Sequence, residues 1–259
     1  MTGGGPAAVV PAPEVAGFRL LSLLGHGRRF DTWDAWDEAR GARCVVKLVR
    51  PERTGEPEVL EAWRREADAV TTVGHPHLVR GYEVLEQPPG IVLETLRGAT
   101  LAAVVEEGPL AAGDVAQLLA QVGSALGYLH RHDWLHLDVK PANVVVDHGR
   151  AVLIDLSLVQ RPGPTRRGSG TPGYQAPEQR RGDEVSAATD VHGLALTALE
   201  ALRGDVVPES RWRRSITRAS PPETPSELAK VLVAALAPRP ADRPLLEELI
   251  GVARGLVAE

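Results

Sequence analysis

The chain is 259 residues long with 43% hydrophobic and 24% charged residues, the composition of a globular protein able to bury a core in one large domain or two small ones. Its 29 basic against 34 acidic side chains leave a formal charge of −5, without the basic excess that a nucleic-acid partner demands. The single cysteine, Cys44, excludes an intramolecular disulfide and a four-cysteine zinc site and points to a reducing, cytoplasmic compartment. No stretch approaches the roughly 20 apolar residues that span a bilayer, so no membrane anchor is expected. The opening MTGGGPAAVVPAPEVAG lacks the basic and long apolar segments of a secretory signal, and residues 1–16 read as a flexible Gly/Pro/Ala leader.

Residues 18–50 hold three β-prone runs, FRLLSLL, FDTWDAWD and RCVVKLV, which predict strands joined by turns. Over 58–73, Leu60, Trp63, Ala67 and Val70 recur at three- and four-residue spacing before the breaker Gly74-His75-Pro76, which predicts an amphipathic helix. Two more strands are expected in HLVRGYEVLE and GIVLETL, separated by the turn QPPG. From Asp114 the period becomes helical: Val115, Leu118, Leu119, Val122, Leu126 and Leu129 form one apolar face, with Asp114 placed to cap it. Later helices are expected over 187–202, 225–237 and 245–257. The expected fold class is α+β and bilobal, with a small β-rich lobe carrying one main helix over about 17–94 and a larger, mainly helical lobe over about 98–259.

Lysine occurs only at Lys47, Lys140 and Lys230 in a chain rich in arginine, so each lysine is informative. Lys47 ends the run CVVK, where a compact ammonium can meet a phosphate. Upstream, Gly25-His26-Gly27 sits in a strand-turn-strand setting whose small residues let backbone approach a phosphate chain. Taken alone, a surface lysine and an ordinary turn are the plainer readings. The segment His136-Leu137-Asp138-Val139-Lys140-Pro141-Ala142-Asn143, followed by VVVD and by Val152-Leu153-Ile154-Asp155, is more specific. It sets Asp138, Asn143 and Asp155 on loops beside short apolar strands as hard oxygen donors of the kind that Mg2+ and phosphate chemistry uses, with Lys140 as a nearby cation. His130, His132 and His136 invite a metal reading, but His130 and His132 cannot share a helical face. The run Arg211-Trp212-Arg213-Arg214 reads as a solvated loop rather than a patch for acidic partners.

With these residues in place the sequence resembles the eukaryotic-like (Hanks-type) serine/threonine protein kinase family in its compact bacterial form. HLDVKPAN stands for the catalytic loop HRDxKxxN, and Asp155-Leu156-Ser157 for DFG. GTPGYQAPE over 170–178 matches GTPxYxAPE at the end of an activation segment. Thr189-Asp190-Val191-His192-Gly193-Leu194 is similar to the start of the buried central helix of the large lobe, and Asp242-Arg243-Pro244 to its late Arg-Pro motif. The resemblance implies transfer of the γ-phosphate of Mg-ATP, with Mn2+ as an alternative ion, to Ser or Thr hydroxyls of a protein substrate. It implies that Lys47 binds the α- and β-phosphates and pairs with Glu66, beneath a loop carrying Gly25 and Gly27. Thr32, Val45 and Val145 would sandwich the adenine, and backbone groups of the linker from Glu94 to Leu96 would read its edge. Asp138 would orient the substrate hydroxyl and accept its proton, Lys140 would neutralise the transferred group, and Asn143 and Asp155 would hold the metal. Thr171 would bridge Asp138 and Lys140 on the substrate platform, Asp190 would be structural, and Glu178 and Arg243 would form a buried ion pair.

The chain departs from the family pattern at Phe30, which replaces the third glycine of the loop, at Thr32 for the usual valine, at Leu137 for the arginine before Asp138, and at Ser157 for the glycine of DFG. A nucleotide-binding pseudokinase scaffold is therefore an alternative. A small-molecule phosphotransferase is another, against which GTPGYQAPE and Lys140 argue, because they build a platform for a polypeptide.

Overall fold

The structure is a computed structural model that describes residues 12–205 and 224–257, so most of the expected leader and the Arg211-Trp212-Arg213-Arg214 run lie outside the described residues. The chain divides into two compact units, one of Met1–Trp63 with Gly81–Thr95 and one of Arg64–Arg80 with Leu96–Glu259.

The first unit is built on an antiparallel sheet in the order β1-β2-β3-β5-β4. Its strands are β1 (Phe18–His26), β2 (Phe30–Asp37), β3 (Ala42–Val49), β4 (Gly81–Glu86) and β5 (Pro89–Glu94). The alternation of side chains along β2 and β3 sends Trp33, Ala35, Cys44, Val46 and Leu48 to one face, where they form a core with Val92 and Val15. Phe30, Thr32, Val45 and Lys47 take the other face, with Thr32 directly opposite Lys47. Val15 lies inside the stretch read as leader, yet it bridges Phe18 and is buried, because its apolar side chain covers the end of the sheet.

Helix α1 (Pro57–Thr72) follows the predicted period and runs from the first unit into the second. Its buried residues are Val59, Ala62, Trp63, Glu66, Ala67, Ala69 and Val70, with Leu60 only half-buried. Residues 64–80, expected with the small lobe, belong to the larger unit. Their attachment includes backbone pairing: Leu153 N–H donates to His77 O and Val79 N–H donates to Leu153 O, both at 2.9 Å.

The larger unit holds a three-stranded sheet of β6 (Ala99–Thr100), β7 (Val144–Asp147) and β8 (Arg150–Leu153). Helix α2 (Leu101–Glu106) is capped by the Thr100 hydroxyl, which accepts from Ala103 N–H at 3.2 Å. Helix α3 (Ala112–Arg131) buries the whole predicted stripe from Val115 to Leu129. The expected cap is corrected: Ala111 occupies the capping position, and Asp114 lies inside the first turn, where its charge meets the positive end of the helix dipole. Beyond the pair β9 (Gly163–Pro164) and β10 (Glu184–Val185) and the short α4 (Pro177–Arg181), α5 (Ala187–Arg203) is buried from Thr189 to Leu202. A helix covered on every side is a core helix. It packs on α3 and on α6 (Ser226–Ala235), while α7 (Leu246–Val257) packs on α3.

Candidate active site

The segment 136–143 leaves α3 as an irregular loop whose backbone is held by side chains from elsewhere. Asp190, from the first turn of α5, accepts the N–H groups of His136 at 2.9 Å and Leu137 at 2.7 Å, and also bonds His130 Nε2 at 2.8 Å. Burial opposes the charge of Asp190, but these hydrogen bonds and the neighbouring histidines outweigh it and hold the carboxyl below its ordinary range. Leu137 takes a left-handed φ of 65°, an arrangement a leucine adopts only when its surroundings impose it. Its carbonyl accepts from Gln179 Nε2 at 2.8 Å. His136 bonds Ile154 O through Nε2 at 3.0 Å, and its Nδ1 accepts from Asp138 N–H at 3.3 Å.

So placed, Asp138 is bound at both carboxylate oxygens. Oδ2 accepts from Lys140 Nζ at 2.7 Å and from Asn143 Nδ2 at 3.0 Å, and Oδ1 accepts from the backbone N–H of Thr171 at 2.9 Å. The Thr171 hydroxyl accepts from Lys140 Nζ at 2.6 Å, so one threonine joins the aspartate and the lysine. Asn143 also donates to Asp138 O at 2.9 Å. Its amide nitrogen is committed to Asp138, which fixes the direction of Oδ1 and leaves that oxygen to accept. Ile154 N–H donates to Asn143 O at 2.9 Å, which brings the Asp155 segment alongside. Asp155 has φ 64° and accepts from Ser157 N–H at 3.3 Å. An amide oxygen and a carboxylate on adjoining loops are the hard donors that a divalent cation shared with phosphates requires.

The segment 168–178 is tied down around this centre. Gln175 Nε2 reaches the carbonyls of Gly168, Ser169 and Gly170 at 2.7–3.2 Å. Gly170 has φ 93°, a backbone conformation that favours glycine, and a Cβ there would also stand only 3.1 Å from Leu137 O. Glu178 forms the expected buried pair with Arg243, bidentate at 2.7 and 2.8 Å, and also accepts from Thr189 Oγ1 at 2.9 Å. Burial opposes ionisation of Glu178, but Arg243 outweighs it and its carboxyl stays below the usual range. Tyr174 OH donates to Glu200 at 2.5 Å. Of the remaining expected residues of this unit, Glu66 lies among the buried residues of α1 at 2% exposure, Val145 is buried on β7, and Leu96 is half-buried.

In the smaller unit, Gly25 pairs with Thr32 and Thr32 with Lys47, so all three fall on one line across β1, β2 and β3. Val45 lies two residues before Lys47 on the same face, opposite Leu93, and Glu94 ends β5 opposite Cys44. Burial pushes the Cys44 thiol up to about 11, which leaves it an inert core side chain. Lys47 is 7% exposed, and the Phe30 ring lies over its ammonium at 5.0 Å.

Over residues 18–251 the chain matches the protein kinase domain family, and it belongs to that family. It is 32% identical to the serine/threonine-protein kinases PknA of Corynebacterium glutamicum, over 73% of this chain and 43% of that protein. It is 33% identical to the serine/threonine-protein kinase Pkn1 of Myxococcus xanthus, over 87% of this chain and 36% of that protein. With the serine/threonine-protein kinase PknB of Mycolicibacterium smegmatis it shares 30% identity, over 87% of this chain and 40% of that protein. The chain therefore spans less than half the length of each of these curated relatives.

Sequence reasoning named Asp190 as structural but missed what it holds, missed the roles of Gln175 and Gln179, and raised His130 only as a metal candidate. Gln179 bonds a carbonyl 42 residues away and His130 a carboxylate 60 residues away, and such contacts leave no periodic signal. His130 and His136, raised as metal candidates, are engaged by Asp190 and by Ile154 O, and His132 Nδ1 by Tyr128 O.

Proposed function

We propose that this chain is an ATP-dependent protein kinase that phosphorylates Ser and Thr hydroxyls of a protein substrate. The observation that carries the reading is the Asp138–Lys140–Asn143–Thr171 cluster, in which one carboxylate is held by a lysine, an amide and a backbone N–H. Asp138 is positioned to orient an acceptor hydroxyl and take its proton, and Lys140 to neutralise charge that develops beside it. Asn143 Oδ1 and Asp155 would hold Mg2+, or Mn2+ in its place, and Lys47 the α- and β-phosphates of ATP. Bound ATP and its metal would supply the phosphoryl group and most of the charge neutralisation that a loose phosphoryl-transfer transition state needs. Gly25, Gly27, Thr32, Val45, Glu94, Leu96 and Val145 are assigned to the nucleotide as the resemblance implies. The Lys140–Thr171 contact supports Ser/Thr acceptors, and the buried Cys44 suits a reducing, cytoplasmic setting. Among the described residues no helix is long and apolar enough to cross a membrane.

Labelled ATP, Mg2+ and a generic protein substrate test the reading, with wild type beside Asp138→Asn, Lys47→Met and Asp155→Ala. Transfer to Ser or Thr is expected in the wild type and a fall of orders of magnitude in each variant at unchanged melting temperature. A wild type that binds ATP and transfers nothing would establish the scaffold alternative. Near-normal turnover in the variants would overturn the residue roles.

A further inference from the structure

The turn between β1 and β2 is braced at several points. His26 Nδ1 and Asp31 Oδ1 lie 2.7 Å apart across its base. Gly27 N–H donates to Phe30 O at 2.9 Å, and a Cβ on Gly27 would stand 2.8 Å from that same oxygen, so the turn closes this tightly only around glycine. Arg50, just past β3, adds two anchors: its backbone N–H donates to Arg29 O at 2.9 Å and its guanidinium to Gly27 O at 3.0 Å. Glu52 in turn bonds that guanidinium. The backbone on both sides of Phe30 is therefore fixed, and its side chain can leave its place only by changing rotamer.

That place is over Lys47. Phe30 pairs with Val49 and Thr32 with Lys47, so Phe30 and Lys47 are diagonal neighbours on one face of the sheet, a separation that an aromatic ring spans. The ring centroid is 5.0 Å from Nζ, and each residue is 7% exposed. A largely desolvated ammonium against a ring face is the setting in which a cation–π contact is strongest. Phe30 also stands where the family pattern has a glycine, so its ring fills space that the pattern leaves open above the lysine.

We propose that Phe30 competes with nucleotide phosphates for Lys47, so that the phosphates engage this cation only by displacing the ring, and that Phe30 thereby sets how strongly the site distinguishes a nucleotide from its nucleoside. Arg50 is the positioning residue that holds the turn, and hence the ring, in place. This rests on the assignment of Lys47 to nucleotide phosphates.

Calorimetric titration of ATP, ADP and adenosine into wild type, Phe30→Ala, Phe30→Leu and Phe30→Tyr is the test, repeated in a Lys47→Met background. Phe30→Ala and Phe30→Leu are expected to bind ATP and ADP roughly thirtyfold more tightly than wild type, the size of one desolvated cation–π contact of about 2 kcal/mol. Adenosine affinity should not change, Phe30→Tyr should match wild type, and Phe30→Ala should bring no gain once Lys47 is Met. Arg50→Met should give part of the gain for ATP and none for adenosine. Phe30→Leu keeps the bulk without the ring face, so a leucine variant at the wild-type level would overturn the proposal. A gain shared equally by adenosine, or one that persists without Lys47, would do the same. If neither ATP nor adenosine bound any of the proteins, the nucleotide-binding reading itself would fall.

Discussion

Thr171 meets the proposed proton acceptor through its backbone N–H and the neighbouring lysine through its hydroxyl. Thr171→Val removes only the second of these and leaves Lys140 without one acceptor. A hydrogen bond to a charged group is worth about 1.5–3 kcal/mol, so kcat should fall about ten- to a hundredfold while KM for ATP stays put. Thr171→Ser should restore most of the rate, and steady-state kinetics on one protein substrate would read both. A serine variant as impaired as the valine would mean that the hydroxyl is not what matters. Asp138, Lys140, Asn143 and Asp155 could all be named from the linear sequence, because their spacing along one segment is itself the signal. The partners that aim them are remote in the chain and were not legible: Asp190 at Leu137 N–H, and Gln179 at Leu137 O.

Two elements keep the platform segment in place, and both can be tested. The Glu178 carboxylate at the start of α4 meets Arg243 with both side chains almost wholly covered. Removing one partner strands a buried charge, so Glu178→Ala or Arg243→Ala should cost about 3–5 kcal/mol. Replacing both with Met should recover much of that loss, as urea unfolding would show; a double variant less stable than either single one would contradict it.

The second element is apolar. Leu137 packs with Leu135, Val185 and Leu158, which joins the catalytic loop, β10 and the activation segment without any charge. The β9–β10 pair adds backbone hydrogen bonds. Arg161 is stacked 3.9 Å over Trp134 and donates to His132 O. A segment held by such contacts is expected to order without a phosphate. Stripping phosphate with a phosphatase should therefore change the initial rate on an external substrate by less than about tenfold. A larger fall would show a phosphate switch despite Leu137.

For the whole molecule, the buried carboxylates are expected to shape stability at acid pH. Asp190 and Glu178 are both held below their ordinary range, whereas in the unfolded chain they take up protons near pH 4. Their contribution is complete above that pH and is lost as pH falls through their lower folded values. Glu200 works the other way: burial raises its carboxyl above the ordinary value despite the Tyr174 bond. Over the window just above the unfolded value the folded state keeps the extra proton on Glu200, and stability declines there as pH rises. Urea unfolding at constant ionic strength between about pH 6 and pH 3 should therefore show a steep loss at the acid end. Glu178→Gln should flatten that loss, and Glu200→Gln should raise stability at the neutral end relative to the acid end. An unchanged acid slope in Glu178→Gln would show that its folded and unfolded ionisation do not differ.

The sequence by itself determined the strands of the first unit, the longer helices, the two-part α+β organisation and the short segments that carry chemistry. Each is a local matter: an alternation of two, a period of 3.6, or reactive residues a few positions apart. Its errors lie at Asp114, which sits three positions after Ala111 inside the first turn rather than at the capping position, and at Val15, read as leader but drawn into the sheet core. Only the tertiary structure decided which unit holds 64–80, what fixes the unusual backbone at Leu137, and where the Phe30 ring rests. All three depend on pairings between distant parts of the chain, whose geometry exists only once the sheets and helices have packed.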